Sequence, residues 1–291
     1  HLVQQLQNRY EIGAMLLPGQ KLWAKANVKT FHADITKPKT LNRIADWPEI
    51  VVHCAGLTKA RFPKEYYKVN TEGTKNLLHA LTKKNSSLRQ FILMSSIAAA
   101  GPTMHPDRPL TEEDGANPLD NYGRSKLEAE NLLKKYSVPS TALRLASIYG
   151  GGSTEYLIYM KIAAKRLKLE FDFQDTPFSI FHISDLCKSV DQLIDNRNKS
   201  NGLYYMCDNR KYNYRILAEN IQRLFPGNHF TIKIPRKIFH YFGNFVDGVC
   251  KISGKPSILN AEKVRILTLP FLCSSKKFFS HYSIGEPVHL Y

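Results

Sequence analysis

Tyr122 and Lys126 stand four residues apart in the run Tyr122-Gly-Arg-Ser-Lys126. On a helix, that spacing puts a phenol and an ammonium on one face, one turn apart. An ammonium beside a phenol favours the phenolate and lowers its pKa from about 10. A phenol tuned in this way can exchange a proton with a substrate oxygen near neutral pH. The same spacing also occurs on ordinary solvated helix faces, so the pair needs company. Ser96 supplies it, at the end of the apolar run Phe91-Ile-Leu-Met-Ser-Ser96, which small residues and Gly101 follow. A hydroxyl at a strand end can bond the same substrate oxygen; otherwise Ser96 merely turns the chain. Ser95 is the neighbouring, second choice.

These groups must be brought together by elements distant in sequence. Apolar, β-rich runs alternate with longer helical patterns through the first half. The patterns predict a helix over 1–9 and strands over 11–17 and 28–33. A short helix over 41–45 leads to a strand over 50–54. A long helix over 64–83 and a strand over 90–94 follow, then a helix over 120–136 and a strand over 141–145. Such alternation means a parallel sheet with helices on both faces and right-handed crossovers. Ligands then bind beyond the carboxyl ends of the strands. Asp34, the segment from His53 to Gly56, Ser95-Ser96 and the segment from Ser147 to Gly152 all fall at such ends. Beyond Gly152 the pattern loosens, with helices near 154–168, 183–196 and 213–225 and strands near 177–182 and 203–207. We therefore divide the chain into residues 1–152, which build the sheet and its ligand rim, and 153–291, a mixed α/β substrate lobe that also completes the sheet edge.

The run from Phe91 to Lys126, with Pro109-Leu-Thr-Glu-Glu-Asp114 in its middle, resembles the active-site region of the extended short-chain dehydrogenases/reductases, the NAD-dependent epimerase/dehydratase family. Further segments match in order. Asp34-Ile35 resembles the acidic pair that meets the adenine ring. Val52-His-Cys-Ala55-Gly56 resembles the strand end passing beside the cofactor. Val69-Asn70-Thr-Glu-Gly73-Thr74 resembles the family's V-N-x-x-G-T helix. Arg144-Leu-Ala-Ser147-Ile-Tyr149-Gly150 resembles the approach to the nicotinamide and substrate, and Phe181-His182-Ile-Ser-Asp185-Leu186 the late H-V-D-D-L turn. The resemblance covers nearly the whole chain and thins after residue 210.

It implies a Rossmann-type doubly wound sheet that binds NAD or NADP. Tyr122 is then the general acid/base. Lys126 tunes it and bonds the nicotinamide ribose, and Ser96 orients the substrate oxygen. Asp34, Ile35, Ala55, Gly56, Asn70, Lys126 and Ser147 become the cofactor-binding set, and no metal is required. For Asn70, a purely structural side-chain bond is an equal alternative. The implied reaction interconverts a secondary alcohol and a ketone on a small molecule. A nucleotide-sugar epimerase or dehydratase with tightly held NAD is one rival. A non-catalytic dinucleotide-binding or membrane-surface protein is the other. A helix-paired homodimer is a family-level expectation.

The sequence departs from the pattern in three places. No glycine-rich G-x-x-G-x-x-G turn precedes the helix that opens at His1, so the sheet is expected to lack its first strand. Because every other motif persists, we read this as an N-terminally truncated sequence rather than a lost strand. The end of the second family strand, Met15-Leu-Leu-Pro18, carries neither an acid for a ribose 2′-hydroxyl nor an arginine for a 2′-phosphate; Lys21 is a candidate for the latter. Ser147 stands where many nucleotide-sugar enzymes of the family carry Asn, which tilts the reading toward hydroxysteroid- or dihydroflavonol-type reductases.

Composition constrains partners more than fold. The chain has 291 residues, 43% apolar and 23% charged, as globular proteins do. Its net charge is +16. A basic surface attracts anionic ligands such as dinucleotides, but no nucleic-acid-binding signature accompanies it. Residues 231–291 hold nine Lys/Arg against three Asp/Glu, and 235–252 mixes aromatic with basic residues. This basic C-terminal region is the candidate for a peripheral membrane contact. The five cysteines are scattered and show no CxxC spacing. That favours free thiols, a reducing cytoplasm and no zinc site. Cys54, within an apolar strand, is expected to be a buried small hydrophobe.

Overall fold

The computed structural model describes residues 1–22, 28–196, 201–253 and 261–290. Its central strand, β4 (Gln90–Ser96), lies between β3 (Ile50–His53) and β5 (Ser140–Leu145), and β9 (Gly202–Met206) extends the sheet beyond β5. All these pairs are parallel. The unbroken apolar run Phe91-Ile92-Leu93-Met94 is explained by burial on both faces. Phe91 and Leu93 pack with Leu77, Leu78 and Leu81 of α3 (Thr74–Lys84) and Ala129 and Leu133 of α4 (Asn121–Leu133). Ile92 and Met94 pack on the other face with Leu6 of α1 (Leu2–Leu6), with α6 (Ile183–Asp195) and with Phe278 of α10 (Lys276–His281). Successive side chains point to opposite faces, so a strand covered on both sides must be apolar throughout.

β1 (Gly13–Leu16) pairs in parallel with β2 (Lys29–His32). Among the described residues no strand hydrogen-bonds this pair to β3. The architecture is the expected Rossmann-like α/β fold, and its sheet divides between β1 and β3. The consequence is visible in burial: no residue of β1 or β2 is fully buried, whereas the first six of β4 all are.

Several elements differ from the sequence reading. The N-terminal helix stops at Leu6 instead of residue 9. The polar residues after it turn toward α6, where Arg9 reaches Asp195 at 2.8 Å and the Tyr10 hydroxyl donates to the same carboxylate at 2.7 Å. The short helix over 41–45 is a 3₁₀ turn, Pro38–Arg43. The long helix over 64–83 is three pieces: α2 (Pro63–Tyr66), a π-helical stretch over Tyr67–Gly73, and α3. Cys54 is exposed, not buried. It lies one residue past the last paired position of β3, beyond the cover that the strand itself enjoys.

The later half supplies two small parallel pairs, β6 (Ser147–Tyr149) with β8 (Ile180–His182) and β7 (Leu167–Phe171) with β10 (Phe230–Ile234). Helices α5 (Thr154–Ala164) and α7 (Tyr214–Arg223) pack against each other and β7 around Ala163, Leu217 and Ile221. The last segment returns across β6 and α6: the Tyr149 hydroxyl donates to Val288 O at 2.9 Å, and Val288 N to Asp185 at 2.6 Å. Helices α8 (Arg236–Ser253) and α9 (Ala261–Leu267) lie between β10 and α10 along the chain. Among the described residues no helix is long and apolar enough to cross a membrane.

Candidate active site

Lys126 is a charged side chain only 6% exposed, on the inner face of α4. Its Nζ donates to Met94 O, at the carboxyl end of β4, at 2.8 Å. That is its one hydrogen bond among the described residues, although an ammonium carries three donors. Burial lowers its pKa to about 8, while nearby Cys54 and Glu130 act in the opposite sense. A glycine at residue 56, on the neighbouring strand end, leaves room for this group. A Cβ on Gly56 would stand 3.1 Å from Lys126 Nζ and 3.1 Å from Asn70 Oδ1.

Tyr122 begins the same helix one turn earlier, partly buried, with its ring centroid 5.9 Å from that of Tyr66. Two contacts anchor the helix turn that carries it. Asp120 caps α4, accepting from Gly123 N at 2.7 Å. Gly123 in turn lies against Ala98, where an added Cβ would come within 2.2 Å of the carbonyl oxygen. That close approach joins the first turn of α4 to the turn immediately after Ser96. Ser96 is partly buried, and its Oγ accepts from Ala98 N at 3.2 Å. Accepting leaves the hydroxyl proton available to a substrate oxygen.

Ser95 is differently placed. It is buried and donates to Glu130, whose carboxylate also receives Arg144 at 2.8 Å. Arg144 continues to the Tyr205 hydroxyl at 2.8 Å. This closed network commits the Ser95 hydroxyl, so the structure separates two serines that the sequence could only rank. Arg144 and Glu130 were missed as a pair. The available signal was a charge inside the apolar strand Thr141–Leu145, since a buried charge needs a partner.

Asn70 is 1% exposed and fully engaged. Its Oδ1 accepts from Leu57 N at 2.7 Å; its Nδ2 donates to Leu57 O at 3.1 Å and Ser125 Oγ at 2.9 Å. It therefore clamps the strand end Ala55-Gly56-Leu57 to α4. The π-helical stretch presents it there, a local irregularity common near functional sites. Beneath it, Thr74 Oγ1 donates to Asn70 O at 2.6 Å and so must accept from His53 Nε2, 3.0 Å away. His53 Nε2 thus carries a proton, and burial, with the Lys126 charge nearby, lowers the ring's pKa to about 3.

The remaining predicted residues lie elsewhere on the rim. Asp34, past β2, accepts from Thr36 N at 2.9 Å and Thr36 Oγ1 at 2.7 Å. These bonds hold its pKa below the ordinary carboxylate value although its partial burial opposes them. The Ile35 side chain is buried against Gly73, so only its backbone can meet a ligand. Ser147 opens β6, directly after the end of β5. From the C-terminal region, Glu262 of α9 accepts from Asn121 Nδ2 at 2.8 Å, and the Tyr67 hydroxyl donates to Asn121 Oδ1 at 3.2 Å. This tie across the start of α4 had no readable signal, because its members are far apart in sequence.

The model of the NAD dependent epimerase/dehydratase family matches residues 1–207. A ceramide reductase of Caulobacter vibrioides is 25% identical over 252 residues, covering 86% of this chain and 73% of that protein. A UDP-glucose 4-epimerase of Vibrio cholerae is 27% identical over 223 residues, 72% of this chain and 65% of its own length. The solved UDP-glucose 4-epimerase of Thermus thermophilus, in complex with NAD, shares the fold with a TM-score of 0.76 at 16% identity, over 100% of this chain and 93% of that one.

Proposed function

The chain belongs to the NAD dependent epimerase/dehydratase family, and on that premise we propose that it interconverts a secondary alcohol and a ketone with NAD or NADP. The observation that carries this reading is the buried Lys126 ammonium, one turn from Tyr122, with two donors uncommitted among the described residues and with Gly56 beside it. A buried donor left open fits the hydroxyls of a nicotinamide ribose. The cofactor supplies the hydride chemistry when bound.

The chain's own residues handle the proton and the geometry. Tyr122 holds or releases the proton at its phenol oxygen. Lys126 favours the phenolate by its charge and binds the ribose with its free donors. Ser96 donates to the substrate oxygen. Ala55 and Gly56, held by Asn70, line the cofactor; Asn70 acts through them rather than by touching it. Asp34 and the Ile35 backbone face the adenine end, and Ser147 lies toward the substrate. The 291 residues contain no G-x-x-G-x-x-G turn for the pyrophosphate.

The likeness to UDP-glucose 4-epimerase supports a second reading, in which bound NAD is oxidised and restored within one cycle. Purified protein titrated with NADH and NADPH, followed by nicotinamide fluorescence and by product formation on hydroxysteroid ketones and UDP-sugars, separates the two. Cofactor consumed in proportion to product supports the oxidoreductase. Epimerised sugar with unchanged cofactor supports the epimerase. Absence of nicotinamide binding would falsify both.

A further inference from the structure

Helix α8 has two apolar faces and uses one of them. Phe239 packs inward, its ring 5.3 Å from Phe171 and 5.3 Å from Phe173. Gly243 lies against α9, where a Cβ would stand 2.9 Å from Val264 Cγ2. On the outside, Ile238, Tyr241, Phe242, Phe245 and Val249 are exposed at 60%, 73%, 48%, 68% and 46%. Their spacing places all five within an arc of about 100°. Globular surfaces carry scattered apolar residues, but a contiguous aromatic stripe marks an interaction face.

We propose that this outer face of α8 lies in the headgroup region of an anionic lipid bilayer. Charge decides between a bilayer and a second copy of the chain. Lys233, Arg236 and Lys237 are exposed where α8 begins, and residues 229–246 contain no Asp or Glu. Two chains of net charge +16 would meet here with like charges, whereas an anionic surface attracts each of these cations. Length and composition argue for lying on the membrane: α8 has 18 residues yet is not apolar enough to cross one. Tyr241, at one edge of the arc, suits the interface, where a tyrosine ring can be buried and its hydroxyl wet. The docking face is independent of the proposed reaction, but it is mechanically close to the site. α8 rests on α9, and α9 holds Asn121 through Glu262.

The full chain is floated with vesicles of pure phosphatidylcholine and with vesicles containing phosphatidylglycerol. Wild type should bind the anionic vesicles roughly ten-fold more tightly than the neutral ones, and salt should weaken that binding. The double variant F242S/F245S, with wild-type circular dichroism, should lose at least about ten-fold in binding. Independently, F245W should add a tryptophan emission that shifts to the blue on anionic vesicles. The proposal is overturned by wild type that ignores anionic vesicles, by a double variant that binds as well as wild type, or by an unshifted F245W. It is equally overturned if sedimentation shows a dimer that the double variant converts to monomer, since a second copy then covers the face.

Discussion

Helices α4 and α8 break the usual apolar-in, polar-out rule in opposite directions. The buried face of α4 carries Ser125, Lys126 and Glu130, each bonded within the protein. The exposed face of α8 carries Tyr241, Phe242 and Phe245. Buried charge must be offset by partners, so its presence beside a strand end signals chemistry. A contiguous exposed aromatic stripe marks a candidate interaction surface. In the readings proposed above, one helix serves a reaction and the other an encounter.

The largest test of that contrast is Tyr122→Phe. Losing the acid/base hydroxyl should lower turnover by about 10²–10⁴ while nicotinamide binding, followed by fluorescence, stays within about two-fold. Near-wild-type turnover would remove the role given to α4.

Arg144→Met leaves Glu130 charged and buried against Ser95. Chemical denaturation should show a loss of about 3–5 kcal/mol.

Lys126→Met should go the other way. Wild type keeps a charged lysine buried, with a pKa near 8 in place of the usual 10.5. Such a lysine costs stability below pH 8, and the cost is relieved as pH rises from 8 to 10.5, where the unfolded chain binds the extra proton. The shift is worth about 3 kcal/mol, less about 1 for the Met94 carbonyl left bare. The variant should therefore be about 2 kcal/mol more stable at pH 7, inactive, and no more stable than wild type above pH 10.5.

His53, whose pKa falls from 6.5 to about 3, contributes stability that is complete above pH 6.5 and lost as pH drops toward 3. By pH 5.5 wild type should have lost about 1.4 kcal/mol that His53→Gln retains, read from paired denaturation curves. The smallest effect belongs to α8: F242S/F245S should change stability by less than about 0.5 kcal/mol, because these rings touch water in the free protein. A larger loss would mean that they are core after all.

Much of this was readable beforehand. β4 was placed to within about two residues, because its unbroken run Phe91–Met94 is what burial on both faces demands. The Tyr122–Lys126 pair was legible because four residues on a helix is a local distance. The π-helical interruption at Tyr67–Gly73 was not legible, since no proline or glycine pair marks its start. Cys54 was misplaced because its sequence neighbours are apolar while its own position lies just past the paired strand.

The sequence by itself determined the alternation of strands and helices and the residue types available for proton transfer, both consequences of local spacing, and its motifs carried the family resemblance. Only the tertiary structure decided which serine is committed to Glu130, that Asn70 is a clamp, that Lys126 is buried with one hydrogen bond among the described residues, and that one apolar side of α8 is exposed. Each of these depends on which distant segments meet. Burial and hydrogen-bond satisfaction are properties of that meeting, not of any residue's neighbours along the chain.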